Sequence, residues 1–518
     1  MTFVITQSCC ADASCVSVCP VNCIHPTPDE PDFGHVDTLY VDPSVCIDCG
    51  ACLDACPVGA ARPADSLVGR EKRFVEINAE FYKDHRTETE WTAPAFTHAS
   101  DKDGGRLRVA IVGTGPAASY TARHLLTTTD CVITMIERRS APGGLLRAGV
   151  APDHTGTRGM VDTFRWVYRH PRTTVHLGVE VGRDITHEEL TRHHHAVVYG
   201  TGAGDNPELG IDGEDSPAVV TAAELVRWFT GHEDQAPVRL DSERVVVVGN
   251  GNVALDVARV LLATPDVLRR SDVSDAARAE LERSAIREVV LLARRGPQHA
   301  AFTRPELLML PESMDAEVVI ARSVGVEETV AAITEPRLSV LRELPVVDLD
   351  WASEPAPGRR LVLAFDAAVE SVGDGELTLR HTGSAEGTWQ TPSRMLVRAN
   401  GFRVRPIEGL PFDPVQGRIP QDAGRVLDDT GGEALPGTYV VGWAKRGAQG
   451  GIGANRHDAE ETVASMLQDA LDGRLEAPAQ GPLSLRRSLL RTGRTSTRRG
   501  LKALDREHDR RRTAAHDG

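Results

Sequence analysis

Apolar residues in this chain gather in short unbroken runs, and most of the runs end in glycine. Leu107-Arg108-Val109-Ala110-Ile111-Val112 is the first. A run of this kind reads as a strand of a parallel sheet buried on both faces. It passes into Gly113-Thr114-Gly115-Pro116-Ala117-Ala118, then an Ala-rich segment predicting a helix through Leu126, then a strand from Cys131 to Ile136 that closes on Glu137. The order recurs at Arg244–Val248, followed by Gly249-Asn250-Gly251-Asn252-Val253-Ala254 and a helix to about Leu262. A charged insertion over 266–286 is expected to be helical, and the strand after it, Glu288–Ala293, ends in Arg294-Arg295-Gly296-Pro297. Ala196–Tyr199, Met395–Ala399 and Tyr439–Val441 are further runs entering glycine, the last leading to a helix that reaches about Leu471. Leu361–Phe365 and Glu376–Leu379 are expected to form a small antiparallel sheet. Strand and helix alternating in this way predict an α/β fold with two Rossmann-like dinucleotide-binding domains. Residues 1–60 lack the pattern and predict a small α+β domain. Residues 61–106, with Pro63, Pro94 and the Asp101–Gly105 run, are expected to be a linker.

Composition narrows the class. The chain has 518 residues, 41% hydrophobic and 25% charged, which is ordinary for a soluble protein of several domains. It shows no apolar run of about 18 residues and no secretory leader, so a cytoplasmic protein without membrane attachment is expected. The net charge of −16 argues against nucleic acid as a partner. Nine of the ten cysteines precede residue 57, which points to metal in a reducing compartment rather than to disulfides. Residues 1–60 also hold eight acidic residues and no Lys or Arg, which is either a solvated surface or a docking face for a basic one. The tail after 476 is rich in arginine, with Arg486, Arg487, Arg491, Arg494, Arg498 and Arg499 among them. A solvated tail and an intramolecular or inter-subunit dock are all open.

The chemistry follows from the spacing. In each G-x-G-x-x-A turn, glycine lets the backbone turn sharply and approach a pyrophosphate at the helix N-terminus. Glu137 stands where a carboxylate takes hydrogen bonds from a ribose diol. That first site serves FAD or NAD equally well on its motif. The Ala196–Tyr199 strand and the Gly-rich loop from Pro142 to His154 favour FAD. At the second site Arg294 and Arg295 replace the ribose-binding acid, which suits the 2′-phosphate of NADP. Trp443, beside a glycine-dense loop, can cover a flat ring, and helix N–H groups beyond it can face an anionic ring edge. Cys46, Cys49, Cys52 and Cys56-Pro57 make C-x2-C-x2-C-x3-C-P, a spacing that closes on an iron–sulfur cluster. Cys9, Cys10, Cys15, Cys19-Pro20 and Cys23 form an irregular second half.

The segment 1–60 resembles the seven-iron and eight-iron bacterial ferredoxins. The resemblance implies one [4Fe–4S] cluster on Cys46, Cys49, Cys52 and Cys19, and another on Cys9, Cys15 and Cys56. The latter is [3Fe–4S] with three ligands, or [4Fe–4S] if Cys10 completes it, and Cys23 is a buried thiol. Residues 107–470 resemble the adrenodoxin-reductase family of ferredoxin–NADP reductases through GTGPAA (113–118), GLLRAGVAPDH (144–154), GNGNVALDVAR (249–259), ARRGP (293–297) and GWAKRGAQGGIGANRHDA (442–459). The family implies FAD contacts at Gly113, Gly115, Ala118, Glu137, Leu145, Val181, Trp443, Gly450, Gly451 and Ile452. It implies NADP contacts at Asn250, Gly251, Asn252, Val253, Arg294, Arg295, Glu306 and Gly450. Gly447-Ala448-Gln449-Gly450 departs from the family's Gly-Pro-Thr-Gly. With the ferredoxin attached, the chain resembles the actinobacterial ferredoxin/ferredoxin–NADP reductase fusions.

The expected division is 1–60 iron–sulfur domain, 61–106 linker, 107–204 with 397–475 FAD-binding domain, 205–396 NADP-binding domain with an appended sheet, and 476–518 basic tail. The expected activity moves electrons between NADPH and iron–sulfur clusters through FAD, with ferredoxin or another one-electron protein as partner. No side chain need act as nucleophile, and His154 is a candidate for proton handling. An electron-input subunit of the kind found in glutamate synthase and a non-catalytic carrier are the alternatives. A disulfide reductase is disfavoured, since Cys131 stands alone in the flavin region.

Overall fold

The computed structural model describes residues 2–85, 106–232, 235–428 and 432–481, with 484–485, 489, 500–502 and 504–506 beyond them. Two seven-stranded sheets carry the chain after residue 106. In the first, the strands run in the order 421–422, 425–427, 434–440, 196–199, 108–112, 132–137, 173–177. The strand Arg108–Val112 is central and pairs in parallel with Ala196–Tyr199 and Val132–Glu137. Its helix, Pro116–Thr128, starts directly after the glycine turn with Pro at its first position, where a missing N–H costs nothing. That helix packs against the long helix Ala454–Leu471.

The second sheet is parallel throughout, in the order 346–347, 317–321, 360–364, 288–292, 244–248, 396–398, 219–221. Val245, Val246 and Val247 are fully buried, each contributing about 1.5–3 kcal/mol. Two expectations need correction here. The run at 361–364 is not half of an appended antiparallel pair: Arg360–Ala364 lies inside this sheet, between Glu288–Leu292 and Glu317–Ala321. Both of its faces are covered, which its unbroken apolar run already required. The antiparallel sheet is instead Ala367–Val372, Glu376–His381 and Thr388–Pro392. The strand Leu396–Arg398 also belongs to this sheet, so the return to the first domain comes after it, not at residue 397. The insertion over 266–286 forms the helices Pro265–Arg270 and Asp275–Arg283, as the pattern predicts.

The N-terminal domain is larger than sixty residues. Ala61–Pro63 pairs antiparallel with Phe3–Ile5, and the helix Arg73–Phe81 packs on Phe3–Ile5 and Tyr40–Val41. Asn78, 1% exposed, ties these pieces together. Its carboxamide oxygen accepts from the N–H groups of Ile5 (3.1 Å) and Val41 (2.9 Å), and its nitrogen donates to the carbonyls of Ile5 and Phe74. Residues 61–85 therefore belong to this domain rather than to the expected linker, and residues 86–105, Pro94 and Asp101–Gly105 included, lie outside the described residues. The tail is not simply solvated: Leu485, Leu489 and Leu504 are buried, and Asp505 pairs with Arg165 and Arg169. Arg486, Arg487, Arg491, Arg494, Arg498 and Arg499 lie outside the described residues. No helix among the described residues is long and apolar enough to cross a membrane.

Candidate functional site: two nucleotide cavities and two thiol sets

Gly113 and Gly249 do the same work in the two Rossmann units. Each has positive φ, +108° and +129°, and a Cβ on either would stand 2.4 Å from a carbonyl oxygen, that of Gly200 or Ala399. Only glycine permits that crossing, which opens a cavity at the C-terminal edge of each sheet.

The first cavity, about 310 Å³, is lined by Gly113, Gly115, Glu137, Leu145, Val181, Trp443, Gly450, Gly451 and Ile452, all expected FAD contacts. Ala118 is the exception. It is fully buried, with its side chain where a Cβ on Gly200 would meet it at 3.0 Å, so it sets helix–strand packing and does not line the cavity. Glu137 is buried and accepts from the Thr114 N–H (3.1 Å), the Thr114 hydroxyl (2.6 Å) and the Arg139 N–H (3.0 Å). It thus braces the glycine turn. The Pro142–His154 segment contains one helical turn, Leu145–Ala148, that the glycines had hidden. Trp443 donates from Nε1 to the Gly450 carbonyl (3.1 Å) and lies against Phe402 at 5.7 Å between ring centres. The turn bearing Trp443 is held by buried Asp458, which pairs with Lys445 (2.7 Å) and Arg446 (2.5 Å) and accepts from the Gly442 N–H.

The second cavity, about 900 Å³, is lined by Asn250, Gly251, Asn252, Val253, Arg294, Arg295, Glu306 and Gly450, the whole expected NADP set. The two cavities meet: Val253, Phe402, Trp443, Gly450 and Gly451 line both. One wall comes from the N-terminal domain, through Gln7, Cys9, Cys10 and residues 33–37. Sequence reasoning missed this wall, because nothing in a local pattern announces a contact across some 300 positions.

It also missed a charged cluster behind the junction. Arg259, 3% exposed, binds Asp153 through Nε and Nη2 (2.5 and 3.0 Å), Asp256 (2.7 Å) and Glu306 (3.4 Å). Gln7 donates to Glu306 at 2.8 Å. Burial would raise the Asp153 carboxyl, but the Arg259 guanidinium overcomes it and holds that carboxyl below its usual range. For Glu306, burial wins over His154 and Arg259, and its carboxyl is pushed up. His154 Nε2 lies 3.9 Å from Asp256 and 3.8 Å from Glu306 and lines neither cavity. The structure therefore places it behind the NADP cavity.

The thiols fall into two sets. Cys9, Cys10, Cys15 and Cys56 wall a small cavity. Burial pushes Cys9 up to about 11, and Cys56 and Asp12 add to this. Burial likewise raises Cys15, which feels the charges of Cys9 and Cys56. In the other set, burial pushes Cys52 up to about 11, and the charges of Cys46, Cys49 and Cys19 act on it. Cys23 is buried, its Sγ 3.3 Å from that of Cys19, and a hydrogen bond from Cys23 lowers Cys19 to about 6. Residues 1–60 offer these sulfurs no Lys or Arg. Instead the N–H groups of Ala11, Cys23 and Ala60 point at Cys9, Cys19 and Cys56 at 3.2–3.4 Å. Ala11, Ala13, Asn22 and Asp48 hold positive φ to aim such loops. Convergent thiols within backbone N–H concavities suit an iron–sulfur cluster, whose binding displaces the thiol protons.

This architecture defines a class: pyridine-nucleotide flavoprotein oxidoreductases, here carrying a two-cluster ferredoxin at the front. The comparisons with known proteins agree. A profile described as "4Fe-4S dicluster domain" matches residues 8–60, and one described as "Pyridine nucleotide-disulphide oxidoreductase" matches residues 107–296. The chain is 43% identical over 500 residues to the "Probable ferredoxin/ferredoxin--NADP reductase" of Mycobacterium leprae, covering 94% of this chain and 89% of that one. It is 34% identical to the mitochondrial "NADPH:adrenodoxin oxidoreductase" of Mus musculus over 77% of this chain and 86% of that one. The solved structure "Mycobacterium tuberculosis FprA in complex with NADPH" superposes with a TM-score of 0.63 at 34% identity, over 72% of this chain and 87% of that one. The chain belongs to the ferredoxin/ferredoxin–NADP reductase family.

Proposed function

We propose that the protein carries electrons between NADPH and its own ferredoxin clusters, with FAD in the first cavity, NADP(H) in the second, and the transfer point where the two cavities share Trp443 and Gly450. The single observation that carries this reading is that shared wall, with Cys9 and Cys10 beside it. FAD, when bound, supplies the conversion between a two-electron donor and one-electron acceptors. The chain's residues do the rest. Gly113 and Gly249 would admit the pyrophosphates, and Glu137, which braces Thr114, would hold the ribose of FAD. Arg294 and Arg295 select the 2′-phosphate, and the N-terminal domain closes the nicotinamide end against water. Asn250–Val253 open the second cavity's helix, Asn252–Leu261, whose N-terminus favours phosphate.

The intact NADP cavity favours this over a non-catalytic carrier. Location in the cytoplasm fits the reducing environment that nine clustered thiols need. The test is an anaerobic NADPH titration of the iron-loaded protein, followed by visible absorbance and EPR. Flavin bleaching should precede cluster reduction, with two clusters counted. Flavin bleaching with the clusters left oxidised would overturn the reading.

A further inference from the structure

Among the described residues, eight large hydrophobic side chains are exposed, and three of them stand beside ligands of one thiol set. Val18 (41%) adjoins Cys19, Ile47 (56%) adjoins Cys46, and Leu53 (41%) adjoins Cys52. Cys49, the fourth thiol of that set, is itself exposed. Scattered exposed hydrophobics need no explanation, but here three of the eight flank in sequence the thiols of one set. Asp48 and Asp54 are exposed among them, within a segment that holds no Lys or Arg from residue 1 to 60.

The other thiol set is turned inward. The Cys10 carbonyl accepts from the Gly453 N–H at 2.8 Å. A Cβ on Gly453 would stand 2.1 Å from the Ala11 carbonyl carbon, and one on Gly156 would stand 2.8 Å from the Val58 carbonyl oxygen. Neither glycine has positive φ, so what each provides is room for the ferredoxin backbone. Arg456 adds hydrogen bonds to the Asp12 carbonyl (3.2 Å) and the Ser14 hydroxyl (3.1 Å). The loop bearing Cys9 and Cys10 is thus seated against the flavin-side loop, and the Cys49 end is left to solvent.

We propose that electrons leave the molecule through the cluster of Cys19, Cys46, Cys49 and Cys52, at a face centred on Val18, Ile47 and Leu53, into a one-electron acceptor protein with an apolar contact surface rimmed by Lys and Arg. The cluster of Cys9, Cys15 and Cys56 is the internal relay. This rests on the reading that NADPH reduces the clusters. Each NADPH leaves as NADP+, releasing one proton and two electrons, and two acceptor molecules each take one. The acidic rim selects a basic partner and disfavours a second copy of the same face. Of the chain's own tail, the described residues Leu485, Leu489 and Leu504 are buried.

The test uses the full iron-loaded protein and cytochrome c, a small basic haem protein, as the probe. In the variant Ile47→Ser/Leu53→Ser/Asp54→Lys, anaerobic cytochrome c reduction by NADPH should lose roughly tenfold or more in kcat/KM at low salt, with its salt dependence flattened. NADPH-to-ferricyanide turnover and the EPR signals of both clusters after NADPH should stay as in the parent. Asp54→Lys alone, which keeps the apolar loop, should give a smaller loss in the same direction and guards against a variant that fails to hold iron. Unchanged cytochrome c reduction in both variants would overturn the proposal. So would a parent dimer that the triple variant dissociates in sedimentation, or a gain in reduction on truncation after residue 481, since another occupant would then hold the face. Parent clusters left oxidised by NADPH would instead overturn the function itself, so the two failures are told apart.

Discussion

Replacing Arg294 and Arg295 together by leucine isolates the choice between NADPH and NADH. Both guanidiniums are exposed and line the second cavity. Their backbone is fixed independently: the Ala293 N–H donates to Ala364 (2.8 Å), and the Thr382 hydroxyl donates to the Arg294 carbonyl (2.7 Å). The variant should therefore remove two charges and leave the cavity standing. A charge-assisted hydrogen bond is worth about 1.5–3 kcal/mol, and exposure places each of these near the lower end. Two of them sum to about 3 kcal/mol, or roughly 100–200-fold in kcat/KM for NADPH. NADH has no 2′-phosphate and should change by less than about threefold. Steady-state ferricyanide reduction with each nucleotide measures both numbers. Raising ionic strength should weaken NADPH use in the parent and hardly affect it in the variant. Equal losses for the two nucleotides, or none for either, would refute the assignment of these arginines to the 2′-phosphate.

Three further outcomes are expected. Gly113→Ala should abolish FAD retention, while Gly249→Ala should spare the bound flavin and raise the NADPH KM, because each Cβ strikes a carbonyl in its own domain only; flavin content and kinetics check both. Asn78→Leu leaves the N–H groups of Ile5 and Val41 buried and unpaired and should destabilise the ferredoxin domain by about 2–5 kcal/mol, seen as faster iron release to a chelator. His194 is buried, its Nδ1 against the Leu190 carbonyl (2.9 Å) and its Nε2 against the Thr134 hydroxyl (3.1 Å), a neutral arrangement, and burial holds it down at about 4. The unfolded chain takes up this proton from about pH 6.5 downward and the folded one only near 4, so stability falls over that window. The loss reaches about 3 kcal/mol by pH 4, and His194→Gln should flatten that part of the thermal-melt profile.

What was legible in the sequence was what is encoded locally. Gly113, Gly249 and the helices behind them form a strand–turn–helix unit whose chemistry sits within a dozen residues, and the cysteine spacing is as compact. The strand Arg360–Ala364 was misplaced because an isolated apolar run carries no record of its neighbours; only the fold decides that it joins Glu288–Leu292. The pairing of Ala61–Pro63 with Phe3–Ile5 was missed for the same reason, since the partner lies nearly sixty positions away. Ala118 shows a subtler limit. The motif marks it correctly, but its small side chain serves the close approach of Gly200, not the ligand. Gly453 and Gly156 read as ordinary glycines until the ferredoxin backbone is seen against them.

Those two glycines also bear on how the molecule keeps pace. Where donor and carrier are separate proteins, each delivery waits on an encounter, and the rate falls as the solution is thinned. Here the carrier is moored at backbone contact, so throughput per molecule should be indifferent to dilution until the outward partner becomes scarce. Ribosomal synthesis, by making both halves on one strand, also sets their ratio at one to one.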